Sequence, residues 1–330
     1  MADSFELSLG EARATYARIR PWVRHTPLMP SPALTSELPA ELIFKLENLQ
    51  VSGSFKARGA FNNLLLLNPA QRERGVVTAS GGNHGLAIAY AAKRLGLPAV
   101  VYLPKTASAD RVARVRAWDA EVILYGDNPN DALNRAQEHA EREEMPYIHP
   151  FDAERTVYGT STLGLELIDD VPDADCVLIA IGGGGLIGGM SAAIKQINPK
   201  ATIIGVEPVG APSMQVALQA GRVVELDAIR TIADTLAPRY VSELTRSLAA
   251  RYVDQVVLVD DDAMVAGMRW LWRECNQLVE PSGAAVVAAI RSGAVDLSRF
   301  RRPVALICGG NAAAEDVFVN YSKLIKRSDP

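Results

Sequence analysis

Short apolar runs recur along the chain, at residues 42–46, 75–78, 99–103, 121–124, 176–181, 202–206, 255–259 and 304–308. They are continuous rather than alternating and rich in Val, Ile and Leu, which predicts strands covered on both faces, as in a parallel sheet. Stretches of helical length lie between most of them, among them 83–95, 109–118, 130–144, 186–197 and 262–276. A helix is also predicted over 8–20, where Ser8 and Glu11 suit a capping box and Pro21 follows the end. Another is predicted over 55–66, with Ser54 as its N-cap. The segment 25–32 is proline-rich and reads as extended. Strand alternating with helix to the end of the chain is the α/β class, with open, wound, mostly parallel sheets. No linker stands out. The stretches 48–53 and 145–152 are the best crossing points, which predicts a small domain over 49–150 inserted into a larger one made of 1–48 and 151–330.

Composition narrows the class. The 330 residues are 48% hydrophobic and 22% charged, enough for two sizeable cores. A net charge of −4 gives no electrostatic footprint for nucleic acid or an anionic membrane. The N-terminus lacks a basic region followed by an apolar stretch, and no apolar run approaches bilayer length, so a cytoplasmic protein is expected. Cys176, Cys275 and Cys308 form no CxxC pair, which predicts reduced thiols. His25, His84, His139 and His149 form no zinc pattern, and no metal is expected.

Candidate chemistry gathers in loops that lead into helices, where open parallel sheets bind ligands. The first is Ser52-Gly-Ser-Phe-Lys56. An ammonium in a helix's first turn meets the positive end of the macrodipole, so the Lys56 pKa should fall and its amine become nucleophilic. Gly53, Ala57, Gly59 and Ala60 leave room beside it for a flat ligand. The second is Thr78-Ala-Ser-Gly-Gly-Asn-His-Gly85, whose N–H groups can bind a carboxylate or phosphate and whose Asn83 amide can donate to an anionic oxygen. His84 there is a base or a loop hydrogen-bonder. The third is Ile181-Gly-Gly-Gly-Gly-Leu-Ile-Gly-Gly189, where backbone can approach and wrap a phosphate. A fourth, Cys308-Gly-Gly-Asn311, follows the last strand and sets a thiol at the strand's end. The third loop also supports a rival: Gly183, Gly185 and Gly188 fit GxGxxG, and Glu207 ends the next strand, as in a nicotinamide-dependent oxidoreductase.

Taken together, His25-Thr-Pro-Leu28, Ser52-Gly-Ser-Phe-Lys56, Ser80-Gly-Gly-Asn-His84, Gly182-Gly-Gly-Gly185 and Cys308-Gly-Gly-Asn311 resemble the fold type II pyridoxal-phosphate enzymes, the tryptophan synthase β-like family. Within it the chain looks most like the threonine/serine dehydratases and serine racemases, over nearly its whole length. The resemblance implies a large domain with an inserted small one, a homodimer, and pyridoxal 5'-phosphate held on Lys56 as a Schiff base. It implies that Lys56 then acts as the base at Cα and Phe55 packs by the ring. Asn83 would bond the ring's 3-oxygen, Gly182, Gly183, Gly184 and Gly185 would cradle the phosphate, and Cys308 would face the pyridine nitrogen. Ser80, Gly81, Asn83 and His84 would line the substrate carboxylate site. The activity implied is ammonia-lyase: β-elimination of water from L-threonine or L-serine, giving a 2-oxo acid and ammonia. A racemase, or a dehydratase for another β-hydroxy amino acid, is the related alternative.

Some positions depart from the family. Gly81 stands where serine racemases carry a serine as second acid/base, which favours elimination over racemisation. Glu207, Ala211 and Ser213 match a cation site in some relatives, but Ser213 replaces an aspartate, so a divalent cation is not expected. Thr235 replaces a usual glycine after Asp234, which could reshape the pocket for a larger β-hydroxy amino acid. The chain ends soon after the last motif, and a C-terminal regulatory domain is not expected.

Overall fold

A computed structural model describes residues 5–31 and 42–311; Pro32 and the outer ends expected for the large domain lie outside them. The strands are β1 (Leu28–Pro30), β2 (Ile43–Leu46), β3 (Val76–Ala79), β4 (Ala99–Leu103), β5 (Glu121–Leu124), β6 (Cys176–Ala180), β7 (Thr202–Pro208), β8 (Gln255–Val259) and β9 (Pro303–Ile307). The α-helices are α1 (Leu9–Ile19), α2 (Lys56–Leu65), α3 (Pro69–Arg74), α4 (Asn83–Leu95), α5 (Ala109–Arg116), α6 (Pro129–Arg142), α7 (Glu154–Asp170), α8 (Gly185–Ile197), α9 (Ser213–Ala220), α10 (Glu243–Tyr252), α11 (Asp261–Cys275) and α12 (Pro281–Arg291). Among the described residues, no helix is long and apolar enough to cross a membrane.

Two sheets organise these elements. One has the order β1-β2-β9-β6-β7-β8, the other β3-β4-β5. All neighbours are parallel except β1, which runs antiparallel to β2 inside the proline-rich stretch read only as extended. The continuous apolar runs are the interior strands: β2, β6 and β9 are buried at every position, whereas β5 and β8 at the sheet edges are partly exposed. A core of β6, β7 and β9 side chains packs against α12 and α8, and a second core joins α2 and α4 to β3 and β4. Tyr147 bridges to Val77, so the segment leaving the small sheet pairs with it before entering α7.

Most helix starts obey their sequence. Ser8, Ser108, Ser242 and Asp260 cap α1, α5, α10 and α11 with side-chain oxygens. The expected cap at Ser54 is not made. Phe55 occupies the N-cap position with helical dihedrals, and α2 starts at Lys56 itself. Ser54 is extended, at φ −163°, and bridges to Gly309 on the far loop. Its hydroxyl is buried without a partner. Cross-loop pairing outweighs capping here: Phe55 N–H donates to Cys308 O at 3.2 Å and Gly310 N–H to Gly53 O at 3.0 Å.

Candidate active site

The loops after β2, β3, β6 and β9 all leave from the carboxyl ends of parallel strands. Lys56 Nζ donates to Pro150 O at 2.7 Å and lies 5.2 Å from the centroid of the Phe55 ring. The residue keeps partial exposure, yet burial pulls its amine down from 10.5 to about 8. The expected direction holds, and desolvation is its leading cause. Cys308 sits at the end of β9, its thiol donating to Ser282 O at 3.4 Å and pushed up to about 12 by burial. It is a neutral group at physiological pH.

The glycines of the third loop form a close-fitting cradle. Gly184 has φ +83° and is the N-cap of α8. A Cβ on it would come within 2.8 Å of Thr245 Cβ, and one on Gly183 would collide with the Phe151 ring. A Cβ on Gly182 would lie 2.9 Å from Thr235 O. Side chains here would clash with the packed neighbours, and the glycines keep backbone close at the α8 N-terminus, where N–H groups and the helix dipole favour an anion.

The second loop opens α4. Gly82 N–H donates to Ser80 Oγ at 3.3 Å, and Asn83 is the first helical residue. His84 Nε2 is bonded to Ile148 O at 3.0 Å, and burial lowers its pKa to about 3, so the imidazole is neutral and tied to the fold. What this loop offers an anion is therefore mainly backbone N–H. Gly81 faces Leu103 and Arg111.

Several site-forming residues carried no role in the sequence reading. Pro150 O receives Lys56, Phe151 packs on the cradle, and Glu280 and Asn311 bracket Asn83. Glu280 precedes Pro281 at the first turn of α12, a helix start that Pro at N1 could have disclosed. His25-Thr-Pro-Leu28 proves to be structural: His25 Nε2 pairs with Asp170 at 2.8 Å, and Thr26 N–H donates to Glu166 at 3.0 Å. His25, Glu166 and Asp170 could in principle converge on a metal ion. The buried Lys45 ammonium already occupies that position, 2.7 Å from Glu166 and 2.8 Å from Asp170.

Glu207 answers the nicotinamide alternative. It is buried, and its carboxylate accepts from Met214 N–H at 2.7 Å, Gln215 N–H at 2.9 Å and Ser213 Oγ at 3.4 Å. It caps α9 and is not presented to a ribose.

Residues 19–309 match the pyridoxal-phosphate dependent enzyme family. The chain belongs to that family. It is 41% identical to a phenylserine dehydratase of Ralstonia pickettii over 90% of this chain and 91% of that protein. It is 35% identical to an L-threonine ammonia-lyase of Thermotoga maritima over 92% of this chain and 76% of that protein. Among solved structures, maize serine racemase superposes with a TM-score of 0.91 at 33% identity, covering 98% of this chain and 99% of that one. The architecture is that of the fold type II pyridoxal-phosphate enzymes, and the oxidoreductase alternative is excluded. The residues present fit the cofactor. An amine of lowered pKa stands among small residues, a side-chain-free cradle faces a helix N-terminus, and a neutral thiol ends β9.

Proposed function

We propose that this pyridoxal-phosphate enzyme is an ammonia-lyase for β-hydroxy amino acids, with L-threonine and L-serine as its first substrates. One observation carries the reading: an enclosed amine, Lys56, is paired with a substrate loop in which Gly81 offers no second acid/base side chain. When bound, the cofactor supplies an electron sink for the bond broken at the substrate's Cα. Gly182–Gly185 would hold its phosphate, Asn83 would donate to its ring 3-oxygen, and Phe55 would pack beside the ring. Lys56 would hold the cofactor and take the substrate's Cα proton, with Pro150 O orienting its Nζ. N–H groups of Ser80, Gly81, Asn83 and His84 hold the substrate carboxylate at the start of α4. Cys308 stays a neutral thiol and places no negative charge at the ring nitrogen. Loss of the β-hydroxyl would then be the easier exit for the electron pair released at Cα. Water leaves from Cα–H and Cβ–OH. Addition of water to the released imine carbon then yields ammonia and a 2-oxo acid.

With this reading go a large unit of 1–48 and 151–330, an inserted unit of 49–150, a homodimer and a cytoplasmic location. The two separate sheets support the division. A second reading, a lyase for a β-hydroxy amino acid with an aromatic side group, is favoured by the 41% identity to phenylserine dehydratase. The deciding assay offers L-threonine, L-serine and L-threo-phenylserine separately to the loaded enzyme and follows 2-oxo acid. Steady release that vanishes in Lys56→Ala is expected, and the ratio of rates names the substrate. A yellow protein that releases none from any of the three refutes the lyase reading.

A further inference from the structure

Four polar residues meet beyond the end of β9, where the Arg114 side chain of α5 reaches Asn311. Glu280 is at the N-cap position of α12 but makes no cap there; its carboxylate turns inward. Oε1 accepts from Asn83 Nδ2 and Ser282 Oγ, each at 2.5 Å, and Oε2 accepts from the Asn311 N–H at 3.1 Å. Burial pushes the Glu280 carboxyl up. Two N–H donors and the hydroxyls of Ser282 and Thr235 face it, which fits the ionised form. Asn311 Nδ2 donates to Asn83 Oδ1 at 2.8 Å and to Ser52 O at 2.6 Å. At the outer end Arg114 donates to Asn311 O and to Asn311 Oδ1, each at 2.6 Å.

This chain of bonds has two charged ends of fixed polarity. A guanidinium only donates and a carboxylate only accepts. Arg114 therefore draws the Asn311 side-chain oxygen to itself and turns Nδ2 inward. That Nδ2 meets the Asn83 oxygen, which turns the Asn83 NH2 towards Glu280. Both ends thus demand the same orientation of the Asn83 amide. Glu280 uses one of its two N–H donors and leaves the second for a ligand. Gly309 makes the approach possible, since a Cβ there would lie 2.8 Å from Glu280 Oε1 and 3.1 Å from Asn83 Nδ2.

We propose that Arg114 and Glu280 are positioning residues which, through Asn311, hold the Asn83 amide with its NH2 towards the cofactor's ring oxygen. The orientation is set when Arg114, on α5 of the small sheet, reaches Asn311 beyond the end of β9 in the large one. The inference rests on the assignment of Asn83 to that oxygen. A donor there favours the ionised oxygen, and the bound cofactor's visible absorption reports that ionisation.

The test compares holoenzymes carrying N83A, E280Q, R114A and N83A/E280Q. E280Q and R114A should each lower the ratio of the long- to the short-wavelength cofactor band by about two- to tenfold, the range of one net hydrogen bond. N83A should lower it as well, and E280Q should add nothing to N83A. Arg114 is half-buried on a short helix, so R114A keeps the test open if E280Q does not fold. A wild-type band ratio in E280Q or R114A, with N83A altered, overturns the proposal. An unaltered N83A overturns the Asn83 assignment, and the proposal with it.

Discussion

Lys56 is the first residue of α2, and among the described residues its amine bonds the carbonyl of Pro150. A carbonyl accepts from the protonated amine without adding charge, so it orients Nζ but does little to offset desolvation. The result is an amine at about 8 instead of 10.5. Attack on the cofactor aldehyde needs the unprotonated amine. Cofactor capture by the apoprotein, followed by its visible absorption, should therefore rise with pH through about 8, and a midpoint near 10.5 would refute the shift. Sequence alone was enough to single out this lysine and its direction of shift. The neighbouring Ser54 was misread because a serine before a helix looks like a cap. Whether it caps depends on what stands across from it, and Gly309 comes from the other end of the chain.

At the scale of elements, α2 is anchored from beneath. Arg58, one half-turn from Lys56, bonds Glu47 at 2.7 Å and 2.9 Å and Glu166 at 3.0 Å, all three side chains fully buried. Lys45 completes the set through Glu166. The pairing ties β2, α2 and α7 together, and α7 was not among the helices singled out from the pattern. Arg58→Met removes the guanidinium from buried Glu47 and leaves Glu166 with Lys45. It should lower stability by about 3–5 kcal/mol, measured by urea unfolding, because an uncompensated buried charge is worse than no pair. A loss under about 1 kcal/mol would mean that the site relaxes or takes up water. The motif containing His25 and Thr26 was part of the family resemblance, and its contacts belong to this same anchor.

Across the whole molecule, the loop of residues 80–84 and the loop of residues 233–236 meet. A Cβ on Gly82 would lie 3.2 Å from Thr235 Cγ2, and Arg111 of α5 pairs with Asp234. This pair joins the small sheet's helix to the large sheet's loop, and both side chains are substantially exposed. Removing it should cost at most about 1 kcal/mol of stability. Its effect should fall on the proposed substrate loop beside it, which would hold substrate less well once the pair is gone. Arg111→Ala is expected to raise KM by about three- to tenfold with little change in Tm, as loss of uniform binding does. An unchanged KM would show that the loop is held by other contacts.

The parallel α/β class was legible in the chain, which also offered Lys56, the Gly182–Gly185 loop and an inserted small unit as candidates. Each is a local property: continuous apolar runs demand cover on both faces, and glycines in series after a strand admit close approach. The partners of those residues were not legible. Pro150 O under Lys56, Glu280 and Asn311 around Asn83, Glu207 over α9, and Arg58 between two glutamates all join segments far apart in sequence. A buried polar group must find its complement wherever the fold brings one, and only the tertiary structure decides which residue that is.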